Sequence, residues 1–236
     1  MSEYYEELFP VTPEFKKFYQ DETQHLSQPL HHLGVGCGIG IFEHHLAQEG
    51  HDVTGIDNIP ELLESANRKR RTQTMSLRYF QMSTLEMGRF LGKGFYNVIT
   101  ILDDRLLFIH DKTLLAKFFY DCRQLLSDQG KLILSIPNFH KFTGEKIVLP
   151  ARESIRSKLT STITTSVSGE KMLFQKLETG NRKIFTVTSD APVLLPSGDE
   201  IKKNAENAGF ASVKFYSDFN KTQFSADSDR LIAVLS

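Results

Sequence analysis

Two cysteines, Cys37 and Cys122, are all that this chain of 236 residues carries. That is too few for a disulfide framework, and a reducing compartment fits such a composition. An excess of one charge is also lacking. The 28 basic side chains meet 29 acidic ones, and the net charge of −1 gives no electrostatic reason to expect nucleic acid or an anionic membrane as main partner. No run approaches the ~20 apolar residues that a membrane span requires. The opening MSEYYEEL is acidic and lacks the basic and apolar regions of a secretory signal, so a cytoplasmic location is expected. Repeats, low-complexity segments and a linker between independent domains are all missing. The length therefore predicts one core with an insertion.

What is present is alternation. From 29 to 136, short apolar runs and amphipathic stretches follow one another as in βαβ units of a mostly parallel sheet. Strands are expected at 29–35, 52–56, 76–80, 95–101 and 131–136, and helices at 40–49, 60–70 and 112–126. The last of these puts Leu114, Leu115, Phe118, Cys122 and Leu125 on one face. Gly50 and Gly130 are expected to end helices in the left-handed conformation. Beyond 144 the period changes to strand-like alternation, with runs at 159–167, 171–178 and 182–188 and turn signals at Ser168-Gly169 and Thr179-Gly180-Asn181. Ser197-Gly198-Asp199-Glu200 spells a capping box for a helix ending at Gly209, and strands at 211–217 and 230–235 follow. The expectation is a single α/β domain over 1–236 that carries an inserted antiparallel meander at 144–196. The meander is either a lid over a ligand pocket or the surface of a homodimer.

The most informative residues are Gly34-Val35-Gly36-Cys37-Gly38-Ile39-Gly40, where a strand runs out and a helix starts. Glycines there permit a tight turn and let a ligand approach the backbone, with polar N–H groups at the helix start. In an open α/β sheet this crevice is the expected ligand site. A dinucleotide fingerprint needs G-x-G-x-x-G, but the last position is Ile39 counted from Gly34 and Ile41 counted from Gly36.

Gly36-Cys37-Gly38-Ile39-Gly40 instead resembles the first motif of class I S-adenosylmethionine-dependent methyltransferases. Val53-Thr54-Gly55-Ile56-Asp57-Asn58 resembles the second strand, which in that family ends in an acid holding both ribose hydroxyls. A carboxylate suits a vicinal diol; the plainer alternative for Asp57 is a helix cap ahead of Pro60. Tyr79 to Thr84, Phe95 to Asp104 and Leu125 to Leu134 are similar to the third, fourth and fifth strands with their turns. Glu7-Leu8-Phe9-Pro10, Ser135 to Phe139, Ala208-Gly209-Phe210 and Tyr216 to Phe219 are similar to small-molecule members of the glycine/sarcosine N-methyltransferase type. The resemblance implies a Rossmann-like doubly wound sheet of about seven strands, the last antiparallel. It also implies S-adenosyl-L-methionine as cofactor and a small-molecule acceptor. Cofactor contacts then fall on Gly34, Gly36, Cys37, Gly38, Asp57, Asn58, Ser83, Thr84 and Leu102.

Two positions depart from the family. Gly34 stands where an acid commonly helps to orient the cationic methionine part, and Ser83 stands where an Asp often bonds the adenine amino group. Losing both should weaken cofactor binding, because a charge-assisted hydrogen bond contributes about 1.5 to 3 kcal/mol. An unusual acceptor, weak affinity or a non-enzymatic descendant that binds cofactor, nucleoside or a partner would each follow. Acceptor contact is expected from Asp104, Asn138, Tyr4 and Tyr5, with Asp104 and His140 as candidate catalytic groups. Their plainer readings are a loop cap for Asp104, packing on Phe9 for the tyrosines and a solvated loop for His140. His31-His32 and His44-His45 do not converge, and no metal site is expected. Cys37 reads as a small neutral filler. Arg68-Lys69-Arg70-Arg71 reads as a solvated helix end rather than a nucleic-acid surface.

Overall fold

Pro13, with Thr12 as cap, starts a helix near the N-terminus of the computed structural model, which describes residues 3–236. The elements in order are α1 (Tyr5–Leu8), α2 (Pro13–Thr23), β1 (His31–Val35), α3 (Ile41–Gln48), β2 (Asp52–Asp57), α4 (Pro60–Arg70) and β3 (Leu77–Gln81). Then come α5 (Met87–Phe90), β4 (Tyr96–Ile101), a 3-10 turn at Arg105–Phe108, α6 (Lys112–Leu125) and β5 (Leu126–Pro137). The inserted strands are β6 (Lys146–Glu153), β7 (Ser157–Thr165), β8 (Lys171–Thr179) and β9 (Ile184–Val193). α7 (Gly198–Ala208), β10 (Val213–Tyr216) and β11 (Arg230–Leu235) close the chain.

Seven strands form one sheet in the order β10-β11-β5-β4-β1-β2-β3, with β11 antiparallel to both neighbours. The order reverses at β1, so the ends of β1, β2 and β4 open on one crevice, the place where such sheets bind ligands. Alternate residues of the strands feed two layers. Leu33, Val35, Ile99 and Ile101 pack with Phe118, Phe119 and Ile201 of α6 and α7. On the opposite face, Val53, Val98 and Ile133 pack with Phe15, Phe18, Phe42 and Leu63 of α2, α3 and α4. The capping box at Ser197 and Glu200 forms as expected.

Three features differ from the sequence reading. The insertion has four strands, not three, because Lys146–Glu153 pairs with β7 across a bulge beside Pro150. Gly130 is not a left-handed helix end; it lies inside β5, where a β-carbon would come within 2.9 Å of Leu126. The helix α2 was not anticipated. It is held to the sheet by Glu22, whose carboxylate takes Lys131 at 2.9 Å and Lys221 at 2.6 Å.

Burial opposes ionisation of Glu22, but Lys221 and Lys131 outweigh it and hold the carboxyl below its ordinary range. A depressed carboxyl stabilises the fold above its unfolded value, near 4.3, and that contribution is lost as pH falls through the folded value. Glu22→Gln should cost about 2 kcal/mol at pH 7 and flatten the loss of stability below about pH 4, as read by thermal denaturation across pH.

Candidate active site

The turn after β1 holds Gly36, Gly38 and Gly40 at φ of 68°, 58° and 71°, where a side chain is strained. It is tied to β2 by three bonds: Gly36 N–H and Cys37 N–H donate to the Ile56 carbonyl, and Gly38 N–H donates to Asp57 Oδ2 at 2.8 Å. Asp57 Oδ1 accepts from Ile59 N–H at 3.0 Å, ahead of α4. Asp57 is thus both a local cap and a cavity wall, and each of its oxygens keeps a further lone pair.

Two cavities meet at Gly36. The larger, about 430 Å³, runs from Asp57, Asn58, Ser83 and Thr84 past Asp104 to a far wall of Leu173, Gln175 and Thr188 on the inserted sheet. The smaller, about 240 Å³, is bordered by Cys37, Glu43, Leu102 and Arg230. Tyr5 borders both. Its hydroxyl lies 2.1 Å from where a β-carbon at Gly38 would sit, and Arg105 Cγ lies 2.8 Å from the corresponding point at Gly36. The glycines are therefore covered by the chain's own Tyr5 and Arg105, with open volume on either side. Arg105 Nη2 donates to the Tyr5 hydroxyl at 2.6 Å. Burial, opposed by Arg105, pushes the Tyr5 phenol up to about 12. Arg105 Nε is buried without a partner.

At the end of β4, Asp103 and Asp104 both adopt left-handed conformations, with φ of 53° and 65°. Two consecutive non-glycine residues there carry backbone strain beside the cavity. Asp104 accepts from Arg230 at 2.6 Å and Arg152 at 3.4 Å, and Asp103 pairs with Arg152 at 3.2 Å. Burial opposes ionisation of Asp104, but the two guanidinium groups hold its carboxyl below the ordinary range. A carboxylate pinned in this way is a poor proton acceptor and serves as an anchor for the two arginines.

Some expected site residues lie elsewhere. Asn138 is fully buried outside both cavities. Its Nδ2 donates to the carbonyls of Ala226 and Ser228, and its Oδ1 accepts from His140 N–H, so it ties down the loop before β11. His140 is exposed and also lies outside both cavities. Tyr4 packs beneath Arg156 rather than in the cleft. Gly34 borders neither cavity, because the space beside it is filled by Glu43. Ser83 donates from N–H and Oγ to Glu86 Oε2 at 2.9 and 2.8 Å. Arg70 is not solvated: it is buried and paired with Glu6. His32 is a core group between Tyr19 and Thr100, and burial, helped by His51, lowers it to about 3. Sequence reading did not find Glu43, Arg105, His110, Arg152 or Arg230. For Glu43 a signal existed, since it shares the buried stripe of α3 with Leu46 and Ala47.

Residues 33–130 match the family model described as a methyltransferase domain. Over that segment the chain is similar to methyltransferase domains. It is 29% identical over 109 residues to a protein named as a candidate methyltransferase of Geobacillus sp. strain WCH70, a match spanning 46% of this chain and 43% of that one. A second relative, the candidate methyltransferase YqeM of Bacillus subtilis strain 168, is 23% identical over 215 residues, covering 84% of this chain and 81% of the relative. The fold is shared with an S-adenosylmethionine-dependent methyltransferase from Clostridium acetobutylicum ATCC 824, with a TM-score of 0.77, 14% identity, and coverage of 99% and 95%.

The residues of this site fit S-adenosylmethionine as cofactor. Asp57 offers two acceptor oxygens at one end, Arg105 Nε is an orphaned donor at the turn, and the larger cavity is of ligand size. Because Asn138 supports a loop and not the cavity, Asn138→Ala should lower stability by about 1 to 3 kcal/mol in denaturant titrations. Its affinity for S-adenosylmethionine, read by calorimetry, should stay at the parent value.

Proposed function

We propose that this chain transfers the methyl group of S-adenosylmethionine to a small-molecule acceptor held between the ends of β1, β2 and β4 and the inserted sheet. The single observation that carries the reading is one cavity lined at one end by Asp57, Ser83 and Thr84 and at the other by Leu149, Leu173, Gln175, Val187 and Thr188. When bound, the cofactor supplies an electrophilic methyl group on a sulfonium. The chain's task is then alignment and exclusion of water, for which no covalent nucleophile is needed.

Asp57 would accept from the ribose hydroxyls, and Asn58, Ser83 and Thr84 would border the base. Tyr5 and Arg105 would have to leave Gly38 and Gly36 for a ligand to cross the turn from one cavity to the other. The inserted sheet acts as the lid. Its apolar residues favour an acceptor with an apolar body, while Gln175, Thr188 and the nearby His110 would orient a polar group. A non-enzymatic reading rested on Gly34 and Ser83. A carboxylate stands beside each, Glu43 at the first and Glu86 at the second, which favours a working cofactor site.

Asp57→Ala should lower affinity for both S-adenosylmethionine and its demethylated product at least tenfold in calorimetry. Parent protein that binds neither compound would overturn the reading. Transfer of labelled methyl groups to members of a metabolite panel identifies the acceptor. For whichever compound accepts, Gln175→Leu should raise KM about tenfold with cofactor affinity unchanged.

A further inference from the structure

The described residues contain four buried Asp or Glu side chains: Glu22, Glu43, Asp57 and Asp121. Three are satisfied. Glu22 has Lys131 and Lys221, Asp57 has the N–H groups of Gly38 and Ile59, and Asp121 has Lys117. Glu43 is 4% exposed and borders the smaller cavity; its carboxylate accepts from its own backbone N–H, and among the described residues no cation or side-chain donor bonds to it. A buried carboxylate without a counter-charge is costly, and the protein keeps it only with a proton or a cation beside it.

Its surroundings bring no cation into contact with it. Asp57 from β2 and Asp103 after β4 face it with like charge. Tyr19 of α2, Cys37 of the turn and Tyr79 of β3 also face it, each pushed upward by burial first and by Glu43 among other groups. Arg70 of α4 is the cation that faces it; its Nη2 is engaged with Glu6, its Nη1 is buried without a partner, and neither bonds to Glu43. Burial, with Asp57 and Asp103, raises the Glu43 carboxyl to about 8, so at neutral pH it holds a proton where a cation would fit.

Position 34 explains how the group reaches the site. A β-carbon on Gly34 would lie 1.9 Å from Glu43 Oε1, so the strand has given up its side chain and the helix fills that space. The smaller cavity reaches Gly36 as does the larger one that contains Asp57, and a ligand laid across the turn would put opposite ends in the two.

We propose that Glu43, from the first turn of α3, whose carboxylate occupies the space that a side chain at position 34 would fill, binds the ammonium group at the amino-acid end of the cofactor in the smaller cavity. The inference rests on the methyltransferase reading and adds a cofactor-positioning residue to it. Glu43 would exchange its proton for the ligand's ammonium, so binding near pH 7 should release a proton and tighten as pH rises towards 8. No methyl chemistry is involved, and the demethylated product, which keeps the ammonium, should behave as the cofactor does.

Calorimetry tests this with three ligands: S-adenosylmethionine, its demethylated product, and methylthioadenosine, which lacks the amino-acid end. Glu43→Gln should weaken the first two by about 10- to 100-fold, the range of one charge-assisted hydrogen bond, and leave the third unchanged. In buffers of different ionisation enthalpy, the parent should release more protons on binding than the variant does. Gly34→Asp alone should bind poorly, because its side chain meets Glu43, whereas Gly34→Asp with Glu43→Ser should recover most of the affinity. That double variant keeps the test decisive if Glu43→Gln proves unstable. Equal affinity of parent and Glu43→Gln for the product would overturn the proposal, as would an equal loss for methylthioadenosine. Parent protein that binds none of the three would instead refute the methyltransferase reading.

Discussion

The bond from Gly38 N–H to the Asp57 carboxylate is the constraint around which the site is organised. It locks the left-handed turn after β1 to the end of β2, so two segments 19 residues apart in sequence become one rigid wall. Because the partner is a carboxylate, the bond is of the stronger, charge-assisted kind, and it pre-organises a group that would otherwise need ordering when a ligand arrives. The crevice at the sheet's reversal point takes its shape from this lock.

Much of this was legible in the sequence, for identifiable reasons. The five parallel strands were readable because buried parallel strands are short apolar runs separated by amphipathic helices, and the glycine turn because only glycine tolerates those angles cheaply. Element ends moved by a few residues. The strand Lys146–Glu153 was hidden by Pro150 and by a bulge that interrupts its alternation. Gly130 was misread because a glycine kept for close approach looks the same in sequence as one kept for a left-handed angle.

The polar residues of the site were less readable, since their roles depend on partners far along the chain. Asp104 could be placed at a strand end, but the arginines that pin it lie 48 and 126 residues away, and nothing local marks them. Asn138 and His140 looked like cleft residues because a polar loop after a strand has the same composition whether it faces a ligand or another loop. Gly34 and Ser83 looked like losses because a sequence motif records the residue at a position and not the atom that occupies the space. The neighbouring carboxylates are those of Glu43, in α3, and Glu86, in the turn ahead of α5, positions at which a motif does not look for them.

The short helix α1 sits where three parts of the molecule touch. Tyr5, Leu8 and Phe9 form a single packed cluster with Ile39 of the glycine turn, Leu62 of α4, and Leu159 and Leu177 of the inserted sheet. The glycine turn and the inserted sheet therefore share one apolar cluster. Because Tyr5 borders both cavities from within this cluster, one side chain ties the shape of each cavity to the packing between the turn and the inserted sheet.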